Sequence, residues 1–257
     1  MKNRFLEKYR VGEKTVGTFT HLMSEAAVEA LGRTGLDYVI MDTEHSPLCP
    51  ENSAQLIDAA AGAGLDPFVR VDAIARSPVL KALDAGAAGL IVPQVETVGQ
   101  VRALIGWAKF APLGERGYCP TRDGGWGCDD CYTGGMESYM EQANAFTALV
   151  PQCETRGCLE SIEEIAALDG VDGIFIGPFD LSIALGKPGR FDDAEVKAAF
   201  ARVLAACKAN GKPCIMFTGS PDAARGYLAQ GFDSITLGLD ISFLIDGVQS
   251  AIDRTNG

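Results

Sequence analysis

The stretches Val150-Pro-Gln-Cys-Glu-Thr155 and Ile174-Phe-Ile-Gly-Pro-Phe-Asp180 decide the fold. Each is a short apolar run that ends in a carboxylate. Side chains alternate between the two faces of a strand, so Gln152 and Glu154 point the same way. If both runs are parallel strands of one barrel, Glu154 and Asp180 emerge side by side at its carboxyl-terminal rim. Two converging carboxylates predict a site for a hard divalent cation, Mg²⁺ or Mn²⁺.

Apolar runs of this kind recur along the whole chain, with amphipathic helical patterns between most of them. The eight predicted strands are Val16–Phe19, Tyr38–Met41, Phe68–Val71, Gly89–Val92, Leu149–Cys153, Gly173–Ile176, Pro213–Phe217 and Ser234–Leu237. Regular alternation of strand and helix indicates a parallel sheet with right-handed crossovers. Eight such units in 257 residues predict an α/β protein with a (β/α)₈ TIM barrel, formed by residues 1–257 as one domain.

Helical periodicity and glycine placement support this order. The predicted helices are Ala26–Leu31, Ser53–Ala61, Pro78–Leu83, Val98–Ala108, Ile162–Leu168, Ala194–Ala209 and Pro221–Gln230. Six glycines precede predicted strands at positions where a helix is expected to end in a residue with left-handed backbone conformation. They are Gly35, Gly64, Gly86, Gly170, Gly211 and Gly231. The alternative is an open doubly wound sheet, but the chain lacks the glycine-rich phosphate turn which that fold places after its first strand.

The composition of the chain argues against nucleic acid and membranes as binding partners. The net charge is −12 and there is no basic run, which argues against binding to nucleic acid. No apolar stretch approaches the roughly 20 residues that span a bilayer. Residues 1–8 lack the apolar core of a signal peptide, so the protein is expected to be cytoplasmic. Its eight cysteines are accordingly expected to be free thiols.

Polar residues at strand ends are the candidates for catalysis, because chemistry in a barrel gathers at that rim. His45 follows the second strand and suits proton transfer near neutral pH. His21 follows the first strand, and its interpretation stays open between chemistry and merely lining the pocket. Arg70 ends the third strand, where it binds either a substrate carboxylate or enolate, or forms a structural salt bridge with Glu44 or Asp42.

Two further features bear on the reaction. Glu154 and Asp180 could alternatively cap the helices that follow them, although Thr155 and Ser182 are available for capping. No lysine ends a predicted strand, and only Lys187 is placed to reach the rim, which disfavours a Schiff-base mechanism.

The long interval between the fourth and fifth strands is expected to cover the active site. Residues 111–136 are rich in Gly, Asp, Cys and aromatic residues and have no periodicity. Within them, Cys128-Asp-Asp-Cys131 could bind metal, form a disulfide or do neither. Free thiols are the favoured interpretation, since a zinc site needs a second pair of ligands.

The sequence resembles the HpcH/HpaI aldolase family of metal-dependent class II pyruvate aldolases over nearly its whole length. The matching motifs are Asp42-Thr-Glu-His45, Val69-Arg70, Leu83-Asp84-Ala-Gly-Ala, Val92-Pro93, Gly114-Glu-Arg116-Gly117, Gln152-Cys-Glu154-Thr155 and Gly177-Pro-Phe-Asp180-Leu-Ser182. The combination is specific, whereas no single motif is. Two features depart from the family pattern: Cys153 stands where an apolar residue is usual, and residues 118–135 are unlike the usual small-residue loop.

The resemblance implies a role for each matching residue. His45 would be the general base, Asp84 would raise the basicity of that histidine, and Arg70 would stabilise an enolate. Glu154 and Asp180 would hold Mg²⁺ or Mn²⁺. Bound oxo acid would be contacted by Gln152 and by the backbone at Gly177 and Phe179.

The resemblance also implies an assembly and a reaction. Family members form dimers that exchange the last helix, here Ile241–Ile252, and these assemble into hexamers as trimers of dimers. The predicted reaction is reversible cleavage of a 4-hydroxy-2-oxo acid, such as a 2-dehydro-3-deoxy sugar acid, to pyruvate and an aldehyde. The alternatives are an oxaloacetate decarboxylase or another lyase that uses the same enolate, and a barrel without catalysis.

Overall fold

Eight parallel strands close a barrel in the computed structural model, which describes residues 3–256. The strands follow chain order, each pairing with the next, and β8 pairs with β1. They are β1 Thr15–Thr20, β2 Tyr38–Asp42, β3 Asp66–Arg70, β4 Gly89–Val92, β5 Ala148–Cys153, β6 Ile174–Ile176, β7 Cys214–Thr218 and β8 Ser234–Leu239. The predicted TIM barrel is therefore confirmed. That residues 1–257 act as a single aldolase domain stays a prediction.

Twelve α-helices accompany the strands in the described residues. They are α1 Arg4–Arg10, α2 Glu25–Leu31, α3 Pro50–Gly62, α4 Arg76–Asp84, α5 Val98–Ala108, α6 Gly135–Phe146, α7 Arg156–Glu160, α8 Ile162–Ala167, α9 Pro178–Ala184, α10 Ala194–Ala209, α11 Pro221–Gln230 and α12 Asp240–Asn256. All seven helices predicted from periodicity are present. The sequence patterns missed α1, α6, α7 and α9, and α12 was foreseen only through the resemblance.

Local side chains fix where several helices begin. Ser24, Thr97, Thr155 and Ser220 each accept a hydrogen bond from a backbone N–H in the first turn of α2, α5, α7 and α11. Thr155 therefore caps α7, so Glu154 beside it is not needed for that purpose. Five of the six predicted cap glycines have positive φ, but Gly35 does not, because α2 already ends before Gly32.

The amino-terminal end of the barrel is closed by α1. Phe5 of this helix is buried against Tyr38 and Phe68, with ring centroids 5.7 and 5.5 Å away. Its backbone N–H donates to Asp66 Oδ2 at 2.7 Å. Just before the helix, Asn3 Nδ2 donates to the carbonyl oxygens of Ala88 and Phe146. These contacts seal the barrel interior at the end opposite the strand carboxyl termini.

The expectation that residues 111–136 cover the active site is wrong. Helix α5 runs antiparallel to β4, so the chain returns to the amino-terminal end of the barrel before this segment begins. There Arg116 pairs with Asp84 at the end of α4, and Arg122 pairs with Asp58 of α3. Within one chain, the segment therefore packs on helices at the amino-terminal end of the barrel, away from the rim at the carboxyl ends of the strands.

Helix α12 exposes a continuous apolar face. Its exposed members are Ile241, Phe243, Leu244, Ile245, Val248 and Ile252, with Ile245 at 62%. In a closed barrel the last helix normally buries such a face. Among the described residues, no helix has both the length and the apolar character to cross a membrane.

Candidate active site

A cavity of about 190 Å³ opens at the carboxyl ends of the strands. Aromatic side chains from the barrel interior, Phe19, Phe175 and Phe217, form its floor. Polar groups enter from above, and most of the residues predicted for the site are among those that line the cavity: His21, His45, Arg70, Gln152, Gly177, Phe179 and Asp180. No lysine is among the described residues that line it. Lys187 instead lies 3.5 Å from Asp193.

Asp42, wholly buried at the end of β2, organises one side of the cavity. Arg70 Nε donates to Asp42 Oδ1 at 2.8 Å, and Arg70 Nη2 donates to Oδ2 at 2.7 Å. The backbone N–H groups of Glu44 and His45 also donate to Oδ1. Burial alone would raise the pKa of Asp42, but the hydrogen bonds and charge of Arg70 outweigh it, and the pKa lies below its ordinary value. Asp42 is therefore a fixed anion.

Arg70 is held in a single orientation by this carboxylate. Its guanidinium also lies 4.6 Å from the centroid of the Phe19 ring, and Nη1 lies 3.2 Å from Glu44 Oε2. Both salt bridges named as the structural alternative are thus present. They do not remove Arg70 from the cavity, which its side chain still lines.

The two histidines differ in how firmly they are held. His45 has a side chain that is 61% exposed, and its Nε2 lies 3.6 Å from Glu44 Oε2. His21 has a side chain that is 24% exposed, and its Nε2 lies 2.7 Å from Asp42 Oδ2. Asp240 accepts from the backbone N–H of His21 at 2.9 Å. His21 is therefore fixed at both ring and backbone, whereas the ring of His45 is largely free.

Asp180 lines the cavity, and Glu154 lies beside the lining residues Gln152 and Gly177 without lining the cavity itself. Glu154 is buried and accepts hydrogen bonds from the backbone and side-chain nitrogens of Gln94 at 2.7 and 3.0 Å, and from Gln152 Nε2. Burial, with repulsion from Glu44 and Asp180, raises the pKa of Glu154 to about 7. Gln94 adopts a φ of 55°, unusual for a residue with a side chain, to reach this carboxylate.

Gly177 allows the two strands to approach each other here. A Cβ atom at this position would lie 2.6 Å from Glu154 Oε2 and 2.9 Å from Gln152 Nε2. Pro178 then begins α9, and Asp180 lies in the first turn of that helix. The absent side chain at 177 therefore lets the backbone that leads into α9 lie against Glu154 and Gln152.

The donor set suits a hard cation. Burial is the main cause that raises the pKa values of Glu44 and Glu154, and the charge of Asp180 raises both further. Glu44 Oε2, although ion-paired with Arg70, and Gln152 Oε1 are buried and accept no hydrogen bond from residues 3–256. No three His, Cys, Asp or Glu side chains in that range form a complete ligand set. A cation bound here would therefore need oxygens from substrate or water as well.

Asp84 does not join the other predicted site residues within one chain. It ends α4, at the amino-terminal end of the barrel, and its carboxylate accepts from Arg116 Nη2 at 2.8 Å. Arg116 is buried and also pairs with Asp123, which accepts from the Tyr139 hydroxyl. The implied effect of Asp84 on His45 is without a contact in the described chain and stays a prediction.

Sequence reasoning missed the hydrogen bond between His21 and Asp42 and the anchoring role of Asp240. His21 follows β1, Asp42 ends β2 and Asp240 follows β8, and no local motif links them. The position of His21 at a strand end was the one available signal.

Comparison with known proteins identifies the family. The model of the HpcH/HpaI aldolase/citrate lyase family matches residues 15–247. The chain belongs to this family. A hydroxypyruvate/pyruvate aldolase of Sagittula stellata is 34% identical over 244 residues, covering 95% of this chain and 94% of the relative. A 2-dehydro-3,6-dideoxy-6-sulfogluconate aldolase of Pseudomonas putida is also 34% identical, with 94% and 92% covered.

A solved structure from the same family agrees with the barrel. The crystal structure of a family member from Burkholderia cenocepacia has a TM-score of 0.91 and 34% identity, with 100% of both chains covered. Similarity to aldolases over nearly the full length makes this chain a carbon–carbon lyase, as its sequence motifs predicted.

Proposed function

We propose that this protein reversibly cleaves a 4-hydroxy-2-oxo acid to pyruvate and an aldehyde, with a divalent cation as cofactor. One observation carries the proposal. A single cavity is lined by an arginine that a buried carboxylate fixes, by two histidines and by Asp180, and Glu154 lies beside the lining residues Gln152 and Gly177. Aldol cleavage needs these groups, because it moves a proton from an alcohol and develops negative charge on an enolate.

Each residue has a part in this reaction. Glu154 and Asp180 would hold the cation, which when bound would act as a Lewis acid toward the 2-oxo group. Arg70 would neutralise the charge that develops as the carbon–carbon bond breaks. His45, exposed at the rim, would take the proton of the 4-hydroxyl. Gln152 and the backbone at Gly177 and Phe179 would orient the oxo acid.

The proposed cleavage reaction is tested with a panel of possible substrates. Purified protein with Mg²⁺ or Mn²⁺ is given 4-hydroxy-2-oxo acids that differ at carbon 4, including 2-dehydro-3-deoxyglucarate, and also oxaloacetate. We expect pyruvate and aldehyde in equal amounts from at least one hydroxy acid. Pyruvate from oxaloacetate alone, with no aldehyde addition in the reverse direction, would instead assign a decarboxylase. Pyruvate from no compound would leave a barrel without catalysis.

Cation binding is tested separately from activity. The Mn²⁺ affinity of the wild type is measured by electron paramagnetic resonance, beside Glu154→Gln and Asp180→Asn. We expect both variants to weaken binding at least about tenfold, because each removes a charged ligand. Glu96→Gln, an exposed carboxylate after β4, serves as the control and should bind Mn²⁺ as the wild type does. Undiminished binding by Glu154→Gln would refute the site.

The exposed face of α12 supports a homo-oligomer, and we propose that another copy of the chain covers it. The dimer with an exchanged last helix and the hexamer implied by family resemblance are the specific forms expected. Cytoplasmic localisation remains part of the proposal and rests on the sequence alone.

A further inference from the structure

We propose that His21, oriented by Asp42, is a second proton-transfer residue of this site and protonates the enolate carbon of pyruvate. This inference rests on the proposed function and extends it. Cleavage requires two proton transfers at two different atoms of the substrate. The 4-hydroxyl oxygen loses a proton, and carbon 3 of the resulting enolate gains one.

The hydrogen bond to Asp42 determines which nitrogen of His21 is available. Asp42 is an anion that can only accept, so Nε2 of His21 must carry the hydrogen in the 2.7 Å contact. Nδ1 forms no hydrogen bond with any described residue from 3 to 256. It is therefore the nitrogen that can exchange a proton with a ligand in the cavity that the ring lines. This is the arrangement by which a buried carboxylate orients a catalytic histidine.

The shared carboxylate places His21 on the enolate side of the cavity. Arg70 Nη2 and His21 Nε2 both contact Oδ2 of Asp42, so the imidazole and the guanidinium are immediate neighbours. Arg70 is the group proposed to stabilise the enolate. His45 instead has a largely exposed ring, whose Nε2 lies nearest to Glu44 rather than Asp42.

The backbone around His21 is fixed independently of its ring. Asp240, at the start of α12, accepts from the backbone N–H groups of His21 and Leu22 at 2.9 and 3.1 Å and from the Thr20 hydroxyl at 2.5 Å. A side chain that merely fills space needs no such support from a second buried carboxylate. The two aspartates together confine the ring to one position, as proton transfer requires.

The proton and electron balance assigns one step to each histidine. His45 takes the 4-hydroxyl proton while the electron pair of the bond between carbons 3 and 4 remains on carbon 3, and the aldehyde leaves. Carbon 3 then forms its new C–H bond with the proton of His21 Nδ1, whose N–H electron pair stays on the ring. His21 regains a proton from solvent and His45 returns one, so no net proton is consumed.

Deuterium exchange into pyruvate tests this assignment. Pyruvate is incubated with enzyme and Mn²⁺ or Mg²⁺ in D₂O, and deuterium in its methyl group is followed by mass spectrometry. Separately, aldehyde release from 4-hydroxy-2-oxopentanoate is measured in a single turnover. We expect His21→Gln to slow exchange about 100-fold while aldehyde release falls less than about threefold, because general acid–base catalysis contributes roughly 10²–10⁴. His45→Gln should show the reverse pattern.

Two controls separate chemistry from folding. Met23→Gln changes an exposed residue of the same turn and should match the wild type in both assays. Added imidazole should restore part of the exchange in His21→Ala, which a structural defect would not permit. Exchange by His21→Gln within about threefold of wild type, or loss of both activities together, would overturn the assignment. A wild type that neither exchanges nor cleaves refutes the proposed function, and this inference with it.

Discussion

Gly177 is the residue whose missing side chain sets the geometry of the proposed cation site. Gly177→Ala would push Glu154 and Gln152 apart, since the new methyl group would lie within 3 Å of both side chains. We expect at least a tenfold loss of Mn²⁺ affinity and of pyruvate formation, with the free energy of unfolding lowered by about 1–3 kcal/mol. Titration with Mn²⁺ and urea unfolding measure the two effects.

The matched control is Gly219→Ala. This glycine also follows a strand at the same rim, but a Cβ atom there would meet nothing within 4 Å. It should retain affinity and activity. If Gly177→Ala and Gly219→Ala have the same Mn²⁺ affinity and activity, the close approach at Gly177 does not determine the geometry of the cation site.

The sequence indicated individual residues of the candidate site only where they stand at or just after the end of a predicted strand. Glu154 and Asp180 follow buried strands, and the pairing of Arg70 with Asp42 was foreseen as one of two possibilities. The bond between His21 and Asp42 was not foreseen, because it depends on how β1 and β2 align. Asp84 matches a family motif, yet within one chain it lies at the other end of the barrel, because α4 runs back from the rim and Asp84 is its last residue.

At the scale of elements, helix α1 is held to the barrel by a carboxyl group that can titrate, that of Asp66. Burial raises the pKa of Asp66 to about 6, despite the hydrogen bond from the backbone of Phe5. The protonated form thus favours the folded state. The contribution of Asp66 to the free energy of unfolding should be greatest below about pH 4 and should be lost as the pH rises through about 6, by up to roughly 3 kcal/mol.

Asp66→Asn keeps an acceptor for Phe5 but cannot ionise, so it should lack the part of the decrease that Asp66 causes. Urea unfolding of the wild type and the variant at pH 4, 5, 6 and 7 provides the comparison. Asp58→Asn, which alters an exposed carboxylate at the same end of the barrel, should follow the wild type. If the free energies of unfolding of the wild type and Asp66→Asn change in parallel from pH 4 to 7, Asp66 does not contribute to the pH dependence of stability.

Strands and long helices were predictable because burial imposes a period on their sequences. All eight strands were located, and α10 matched its predicted range from Ala194 to Ala209. The short helices α7 and α9 have five and seven residues, too few to show a period. The prediction for residues 111–136 failed for another reason: length and composition do not indicate that α5 runs back to the amino-terminal end of the barrel before the segment begins.

For the whole molecule, the apolar face of α12 predicts association. Val248→Asp places a charge in the middle of that face, where Val248 is 53% exposed in a single chain. We expect sedimentation velocity to show a smaller species than the wild type at micromolar concentration, because burying an unpaired carboxylate is costly. Ser250→Asp, off the apolar face, should leave the mass unchanged. A wild type that sediments as a monomer would refute the oligomer.

Asp42 also sets a constraint on how this enzyme could be redesigned. One carboxylate orients Arg70, His21 and the turn that carries His45, so altering any of them disturbs the others. A laboratory library that randomised these positions one at a time would mostly return inactive clones. Variation at Phe179 and Phe217, which line the cavity without a tie to Asp42, offers a route to new acceptor aldehydes that leaves the residues proposed for proton transfer intact.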